Sequence, residues 1–345
     1  MKKFSTSLAS MAFVTLGASS GLAQPATDFY KGKTVSLVVS SSAGGGYDLL
    51  ARTVARHLPK HIPGSPTVAV RNMPGAGGIV ATNYIYNLAT KDGLTIGGVQ
   101  NNTPFEPLLG TKEAEYDPKK FNYLGSPSYE TGLLIVWHTS PVSTVEDARK
   151  KEFTVSSSGA NSTPGFFARL LNELLGMKLK IVLGYPGQNE SFIAMERGEV
   201  DGYPSIFWSS LASTRPDWIK NKMVKFIVQY GPEKEKGAGD TPNVMDLLNK
   251  EEDKLLLKAA IAPLALGRPY IMPPGVPADR VVLMQNAMMA TFKDPEFLAE
   301  AERLNLGVNV PRSAEEERRI VEEAYATPPA VVTRLRRIAN PEGSK

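Results

Sequence analysis

The chain has 345 residues with no cysteine, three histidines, and 39 Lys+Arg against 35 Asp+Glu, a formal net charge of +4. The lack of cysteine excludes thiol catalysis, cysteine metal sites and disulfides. The near balance of charge leaves no electrostatic footprint for nucleic acid or an anionic membrane. A chain this long exceeds one comfortable hydrophobic core, which points to two domains.

The elements begin with a leader. Lys2 and Lys3 precede an apolar stretch over 8–16, and small residues lead to Gly21-Leu22-Ala23. A basic start, a core too short to span a bilayer, and Gly21 and Ala23 at the −3 and −1 positions of a cut describe an export signal. The expectation is that 1–23 is removed near Ala23 and that the mature protein is periplasmic. No cysteine follows the apolar core, so no lipid tether is expected.

Residues 34–41, "TVSLVVSS", are β-branched and apolar and predict a buried parallel strand. Ala43-Gly44-Gly45-Gly46 follow, and Leu50, Val54 and Leu58 then recur at helical spacing over 47–58, a helix ended by Pro59 and Pro63. The plan repeats with a strand over 67–71, the turn "PGAGG" (74–78) and a helix over about 79–88, and "KDGLTIGGVQ" gives a third strand. A second set starts with a strand over 132–139 and a short helix over 145–150. "EFTVSSSGANSTPGFFARLLNELLG" then reads as strand, Ser/Gly/Asn loop and amphipathic helix closed by Gly176. "KIVLGYPGQNESFIAMERGEVDGYPS" repeats strand, loop, helix and strand, and "KEKGAGD" (234–240) marks a surface loop. The stretch opening "APLALGRPYIMPPGVPADR" reads as a strand, a Pro-rich turn and two helices, and the last helix is expected over 313–324 from its Ser313 cap. Alternating strand and helix indicate parallel βαβ units in two α/β sets.

The glycine turns carry the chemistry. A helix start leaves up to four backbone N–H groups without partners and carries a partial positive charge of about 0.5. Glycine lets an anionic oxygen approach them with no Cβ in the way. If the first two strands are neighbours, Ala43–Gly46 and Gly75-Ala76-Gly77-Gly78 emerge at one carboxyl edge, where open α/β sheets bind ligands. A turn that only packs strand to helix is the plainer reading of either cluster alone. Asp48 is expected to cap its helix start and shape the loop, because a direct contact would repel an anion. Tyr47 and Tyr185 flank the cleft or belong to the core. Ser158, Gly159, Ser162 and Thr163 offer donors at a third helix start, with an N-cap at Ser162 or Thr163 as the plainer role.

Other chemistries lack residues. There is no G-x-x-x-x-G-K-[ST], and "GAGG" lacks the third glycine of the dinucleotide fingerprint. No G-x-S-x-G appears. His57 and His61 are four apart, but Pro59 interrupts the helix and no carboxylate follows at metal-ligand spacing. No catalytic residue, metal or cofactor is expected. A ligand receptor for a sensor kinase and, more remotely, a periplasmic hydrolase stay open as readings.

In order and spacing, "AGGGYDLLAR", "NMPGAGG", "KDGLTIG", "SSSGANSTPGFFARLLNELLG", "VLGYPGQNESFIAMERGEVDG" and "APLALGRPYIMPPGVPADRV" resemble the extracytoplasmic solute-binding proteins of tripartite tricarboxylate transporters, the Bug family. The resemblance implies a two-lobed periplasmic binding protein, a hinged trap of type II kind with the ligand cleft between α/β lobes. It implies an organic carboxylate as ligand, and large and small membrane subunits of the transporter as partners. By position it gives Tyr185, Pro186, Gly187 and Asp201, the last near the cleft edge, as further site residues. Ser42 in place of the family's proline, Thr163-Pro164 in place of its Thr/Ser-His pair, and Pro186 in place of its lysine depart from the pattern. The expected division is 24–130 plus 260–345 for the first lobe and 131–259 for the second, in a monomer. Gly45→Val is expected to remove binding, and Arg52→Ala to cost less than tenfold because its side chain should point along the helix, away from the cleft.

Overall fold

A computed structural model of the chain describes residues 1, 26–41, 43, 44, 46–159, 162–185 and 187–340. The leader with its cut near Ala23, Gly45 and Pro186 lie outside the described residues. The first lobe opens with α1 (Ala26–Phe29), β1 (Thr34–Val39), α2 (Gly46–His57), β2 (Thr67–Asn72), α3 (Ile79–Asn87), β3 (Thr95–Gly98), α4 (Glu106–Leu109) and β4 (Asn122–Gly125). The chain then crosses into β5 (Gly132–Trp137), α5 (Val145–Lys150), β6 (Phe153–Ser157), α6 (Thr163–Leu175), β7 (Leu179–Leu183) and α7 (Gln188–Glu196). That lobe continues through β8 (Gly202–Phe207), α8 (Trp208–Thr214), α9 (Pro216–Lys220) and β9 (Val224–Tyr230). From there α10 (Glu251–Leu266) leads back to β10 (Tyr270–Met272), followed by α11 (Ala278–Phe292), α12 (Pro295–Arg303), α13 (Ala314–Tyr325) and α14 (Pro329–Ala339).

Two five-stranded sheets result, in the orders β2-β1-β3-β10-β4 and β7-β6-β8-β5-β9. Each has an antiparallel strand in fourth place, and in each that strand is the first one formed after the chain crosses between lobes. Helices cover the parallel part, so Val35, Leu37, Val38 and Val39 of β1 are all buried and the strand reads as a continuous apolar run. Leu50, Ala51 and Val54 of α2 enter one core with Met284, Met288 and Phe292 of α11. The second lobe's core joins Phe153 and Val155 to Phe167, Leu170 and Leu171 of α6.

The crossovers run side by side. Arg268 N donates to Ser126 Oγ at 2.9 Å and Glu130 N to Leu264 O at 2.9 Å. Gly267 has φ +69, and a Cβ there would collide with the carbonyl of Ser128, so the close approach of the strands requires glycine.

Three elements differ from expectation. Residues 262–266, read as the start of a strand, form the end of α10 with Pro263 inside it, and only Tyr270–Met272 is extended. Helix α13 is not the last, because Pro328-Pro329 opens α14 instead of ending the ordered chain, proline being suited to a first helical turn. Val331, Leu335 and Ile338 of α14 enter the second lobe's core while Val332 joins the first lobe's, so the chain's last described helix packs against both lobes.

Candidate ligand-binding site

β1 and β2 are parallel with Val39 opposite Asn72, so both glycine turns leave the first sheet at the same edge. β3, parallel to β1 with Gly98 opposite Val39, sends a third loop, 99–103, from that edge. Tyr270 at the start of β10 lies opposite Gly98, and β4 ends beside it at Gly125, where the crossover begins. In the second sheet Ser157 and Leu183, the last residues of β6 and β7, are partners. Phe207, at the end of β8, faces Gly132, where the crossover delivers β5. The carboxyl edges of both sheets therefore adjoin the crossovers, with the first lobe's glycine turns on one side and the second lobe's Ser/Gly loop on the other.

Ala43, Gly44 and Gly46 are exposed, and so are Gly75, Ala76 and Gly77. Neither turn is plugged by side chains among the described residues. Four successive residues, Gly75 to Gly78, have positive φ (138, 45, 62 and 97), and Ala76 is in the left-handed region without being glycine. Gly78 N donates to Gly75 O at 2.9 Å, while the N–H groups of Ala76 and Gly77 have no acceptor among the described residues. Successive amides in such a conformation form a concave anion seat.

Asp48, only 2% exposed, shapes the first turn. It accepts from Gly44 N (2.8 Å), Arg52 Nε (2.9 Å) and Asn72 Nδ2 (2.8 Å). Burial works against its charge, but the bonds from Arg52, Gly44 and Asn72 outweigh it and hold the carboxyl below its ordinary value. Arg52 does not run along the helix away from the loop. It turns back to Asp48 and to Asn72 Oδ1 (3.0 Å), and Asn72 also donates to Ser41 O (3.0 Å). A carboxylate, a guanidinium and an amide thus fasten the glycine loop to the end of β2.

Tyr47 packs on the core of its own lobe, and its hydroxyl accepts from Asn101 N at 3.2 Å. Burial raises its pKa to about 12, against the opposing pull of Arg268. Arg268 is the residue that sequence reasoning missed. Its Nη1 donates to Gly46 O (3.3 Å), its Nε to Glu130 Oε1 (3.3 Å), and its guanidinium lies 5.6 Å from the centre of the Tyr47 ring. Glu130, 3% exposed, also accepts from Ser209 Oγ at the start of α8 (2.8 Å), and burial raises its pKa despite Arg268. A half-buried cation adjoins the first glycine turn, from 222 residues away and already paired with a carboxylate. Only its place in "GRPY", beside the crossover glycine, hinted at it.

In the second lobe Ser162 caps α6 through Gly165 N, and its hydroxyl meets Ser157 Oγ at 2.7 Å and donates to Gly159 O at 2.8 Å. Ser158 and Thr163 are exposed at the same edge. Tyr185 N donates to Ser157 O (3.3 Å), placing that loop alongside, and Gly187 is the N-cap of α7. Asp201 does not join them. It precedes β8, accepts from the backbone N and the hydroxyl of Thr154 (2.8 Å each), and so stands at the opposite end of the sheet from Ser157 and Phe207. The parallel pairing of β6 and β8 forces that placement and overturns the expected position near the cleft edge.

His57 and His61 meet the carboxylates of Glu300 and Asp294 (2.7 and 2.8 Å), partners supplied by α12 and the residue before it. His57, Asp294 and Glu296 bring ligand atoms within 4.8 Å of one another, but Lys60 Nζ lies 2.7 and 2.9 Å from the two carboxylates and provides the positive charge there. A cavity of about 640 Å³, lined among others by Met245, Leu255, Ala259, Ala262, Ile320 and Pro328, shares no residue with the glycine turns. Most of its wall is apolar, and the two lysines on it, Lys234 and Lys258, are paired with Asp246 and Glu323, so it suits an anion poorly.

Comparison with known proteins agrees with this architecture. A sequence model of the "Tripartite tricarboxylate transporter family receptor", TctC, matches residues 50–335. The UPF0065 protein in the gbd 5' region of Cupriavidus necator is 28% identical over 249 residues, 68% of this chain and 71% of that protein. A TctC solute-binding protein from Polaromonas has a TM-score of 0.71 at 18% identity, over 90% of this chain and 99% of that one. MatC from Rhodopseudomonas palustris, solved with bound malate, has a TM-score of 0.59 at 20% identity, over 89% of this chain and 99% of that one. At such identities the likeness to solved structures concerns the fold.

Proposed function

The chain belongs to the TctC receptor family of tripartite tricarboxylate transporters, and we propose that it captures a small organic carboxylate between its lobes in the periplasm and delivers it to large and small membrane subunits. The observation that carries the reading is the pair of exposed glycine turns at one sheet edge, each leading into a helix, with the Ala76 and Gly77 N–H groups of the second left without an acceptor among the described residues. A carboxylate resting on Ala43–Gly46 and Gly75–Gly78 meets peptide dipoles fixed before it arrives, so little reorganisation opposes binding. Asp48 and Tyr47 shape this seat from behind. Ser158, Gly159, Ser162 and Thr163, with Tyr185 and Gly187, close on the ligand from the second lobe. The lobes are taken as 24–130 with 260–345, and 131–259, with α14 packed against both. MatC, of the same fold, was solved with malate, which supports the ligand class. The function proposed is binding without turnover.

Isothermal titration of the mature protein against mono-, di- and tricarboxylates, malate included, tests the reading. Saturable binding of at least one carboxylate is expected. Binding of neutral sugars alone overturns it.

A further inference from the structure

We propose that the side chains of Ser41 and Asn101 donate hydrogen bonds to the bound carboxylate, completing from neighbouring strand ends the seat that the glycine turns begin. The inference rests on the carboxylate-receptor reading above.

Ser41 lies just beyond β1 and Asn101 just beyond β3, adjacent parallel strands whose last residues, Val39 and Gly98, are paired. Around them the polar groups are taken. Ser40 Oγ accepts from Gln100 N (2.8 Å), Asn72 is shared between Asp48 and Ser41 O, Asn102 Nδ2 donates to Glu106 (2.8 Å), and Thr103 Oγ1 donates to Gln100 O (2.8 Å). Ser41 Oγ and Asn101 Nδ2 are the exceptions, both shielded from solvent and both without a partner among the described residues. Asn101 as a whole is 8% exposed. Buried polar groups left unmade cost stability, and each calls for an explanation. These two can act as donors at one edge, and an anion supplies the acceptors.

The third loop also touches both glycine turns. Asn101 N is held by the Tyr47 hydroxyl in the first turn of α2 (3.2 Å). In the second turn, a Cβ on Gly78 would lie 2.9 Å from Thr103 Cγ2 and 3.4 Å from Gln100 Cβ, so the turn rests directly on this loop. Asn101 therefore belongs to the loop on which both turns rest. A carboxylate has two oxygens and about four lone-pair directions, enough for backbone amides and two side-chain donors together.

The test titrates wild type, Asn101→Asp, Asn101→Ala and Ser41→Ala with malate, succinate, citrate, glutamate and benzoate, and measures thermal midpoints without ligand. For the tightest carboxylate, Asn101→Asp is expected to weaken binding at least 100-fold, because it replaces a donor by a second negative charge. Asn101→Ala and Ser41→Ala are each expected to weaken it about tenfold. Unliganded midpoints of the alanine variants should equal or exceed wild type, since an unsatisfied group is removed, whereas a purely structural role would lower them. If Asn101→Asp proves unstable, Ser41→Ala decides. Wild-type affinity in Asn101→Asp or in Ser41→Ala, with wild type binding a carboxylate, overturns this inference and leaves the receptor reading standing. Failure of wild type to bind any of the five overturns both.

Discussion

In the first glycine turn a side chain sets the backbone, whereas in the second the backbone sets itself. Around 43–46 the fastening is the Asp48 carboxylate, which gathers Gly44 N, Arg52 and Asn72 and, through Asn72, the carbonyl of Ser41. Around 75–78 no carboxylate takes part among the described residues, and the shape comes from four consecutive positive φ angles and the seating of Gly78 against Thr103. Two stretches that look equivalent in composition thus differ in what breaks them. The first is sensitive to loss of charge and the second to an added methyl.

The largest effect is expected from Asp48→Ala. It strands Gly44 N and Asn72 and leaves Arg52 without its carboxylate, a loss of about 2–4 kcal/mol by analogy with other buried hydrogen-bond networks. Urea unfolding at pH 7 should show that loss, and carboxylate affinity should fall at least tenfold. Equal stability and affinity would mean that the turn holds without its carboxylate. The pH dependence sharpens the point. The folded carboxyl lies below its ordinary value of 3.8, so the unfolded chain takes up the proton first. Its contribution is complete above the unfolded value and is lost as pH falls through the folded one. The gap between wild type and Asp48→Asn should therefore be widest near neutrality and shrink below pH about 4. A gap independent of pH would count against a charged Asp48 as the fastener.

Gly78→Ala comes next. Its φ is +97, and the new Cβ would lie 2.9 Å from Thr103 Cγ2 and 3.3 Å from Ser40 Oγ. Left-handed strain and crowding together should cost about 1–3 kcal/mol, read as a lower urea midpoint, with weaker carboxylate binding as the third loop shifts. The smallest effect belongs to Ala76→Gly. Relief of a left-handed alanine, about 1–2 kcal/mol, is largely offset by the greater freedom of glycine in the unfolded chain, about 0.5–1 kcal/mol. The urea midpoint should move up slightly or not at all. A clear fall would show that the second turn depends on the Ala76 side chain rather than on backbone conformation.

Legibility in the sequence followed the range of the interaction. Helix α5 appears over the expected 145–150, Gly176 ends α6 as its C-cap, and Ser313 forms the capping box of α13, all features decided within a few residues. The glycine turns were legible too, since strand, glycines and helical spacing are local. Arg52 was misplaced because its direction depends on Asn72, a partner twenty residues away on another strand. Asp201 was misplaced because its position follows from strand direction: the residue before a parallel strand lies at the edge opposite the residue after its neighbour. Arg268 had no local mark beyond its place in "GRPY", and its contact with Gly46 exists only because β10 enters the first sheet antiparallel to β3 and β4.

By itself the sequence determined where strands give way to bare backbone at helix starts, since glycine, apolar runs and capping residues act over one or two turns of chain. Tertiary structure alone decided which of those starts share an edge, that the apolar face of α14 packs against both lobes, and which cation stands behind the first turn. The reason is that sheet order and side-chain partners are fixed by pairings between segments tens to hundreds of residues apart, and apolar or charged patterning leaves many such pairings open.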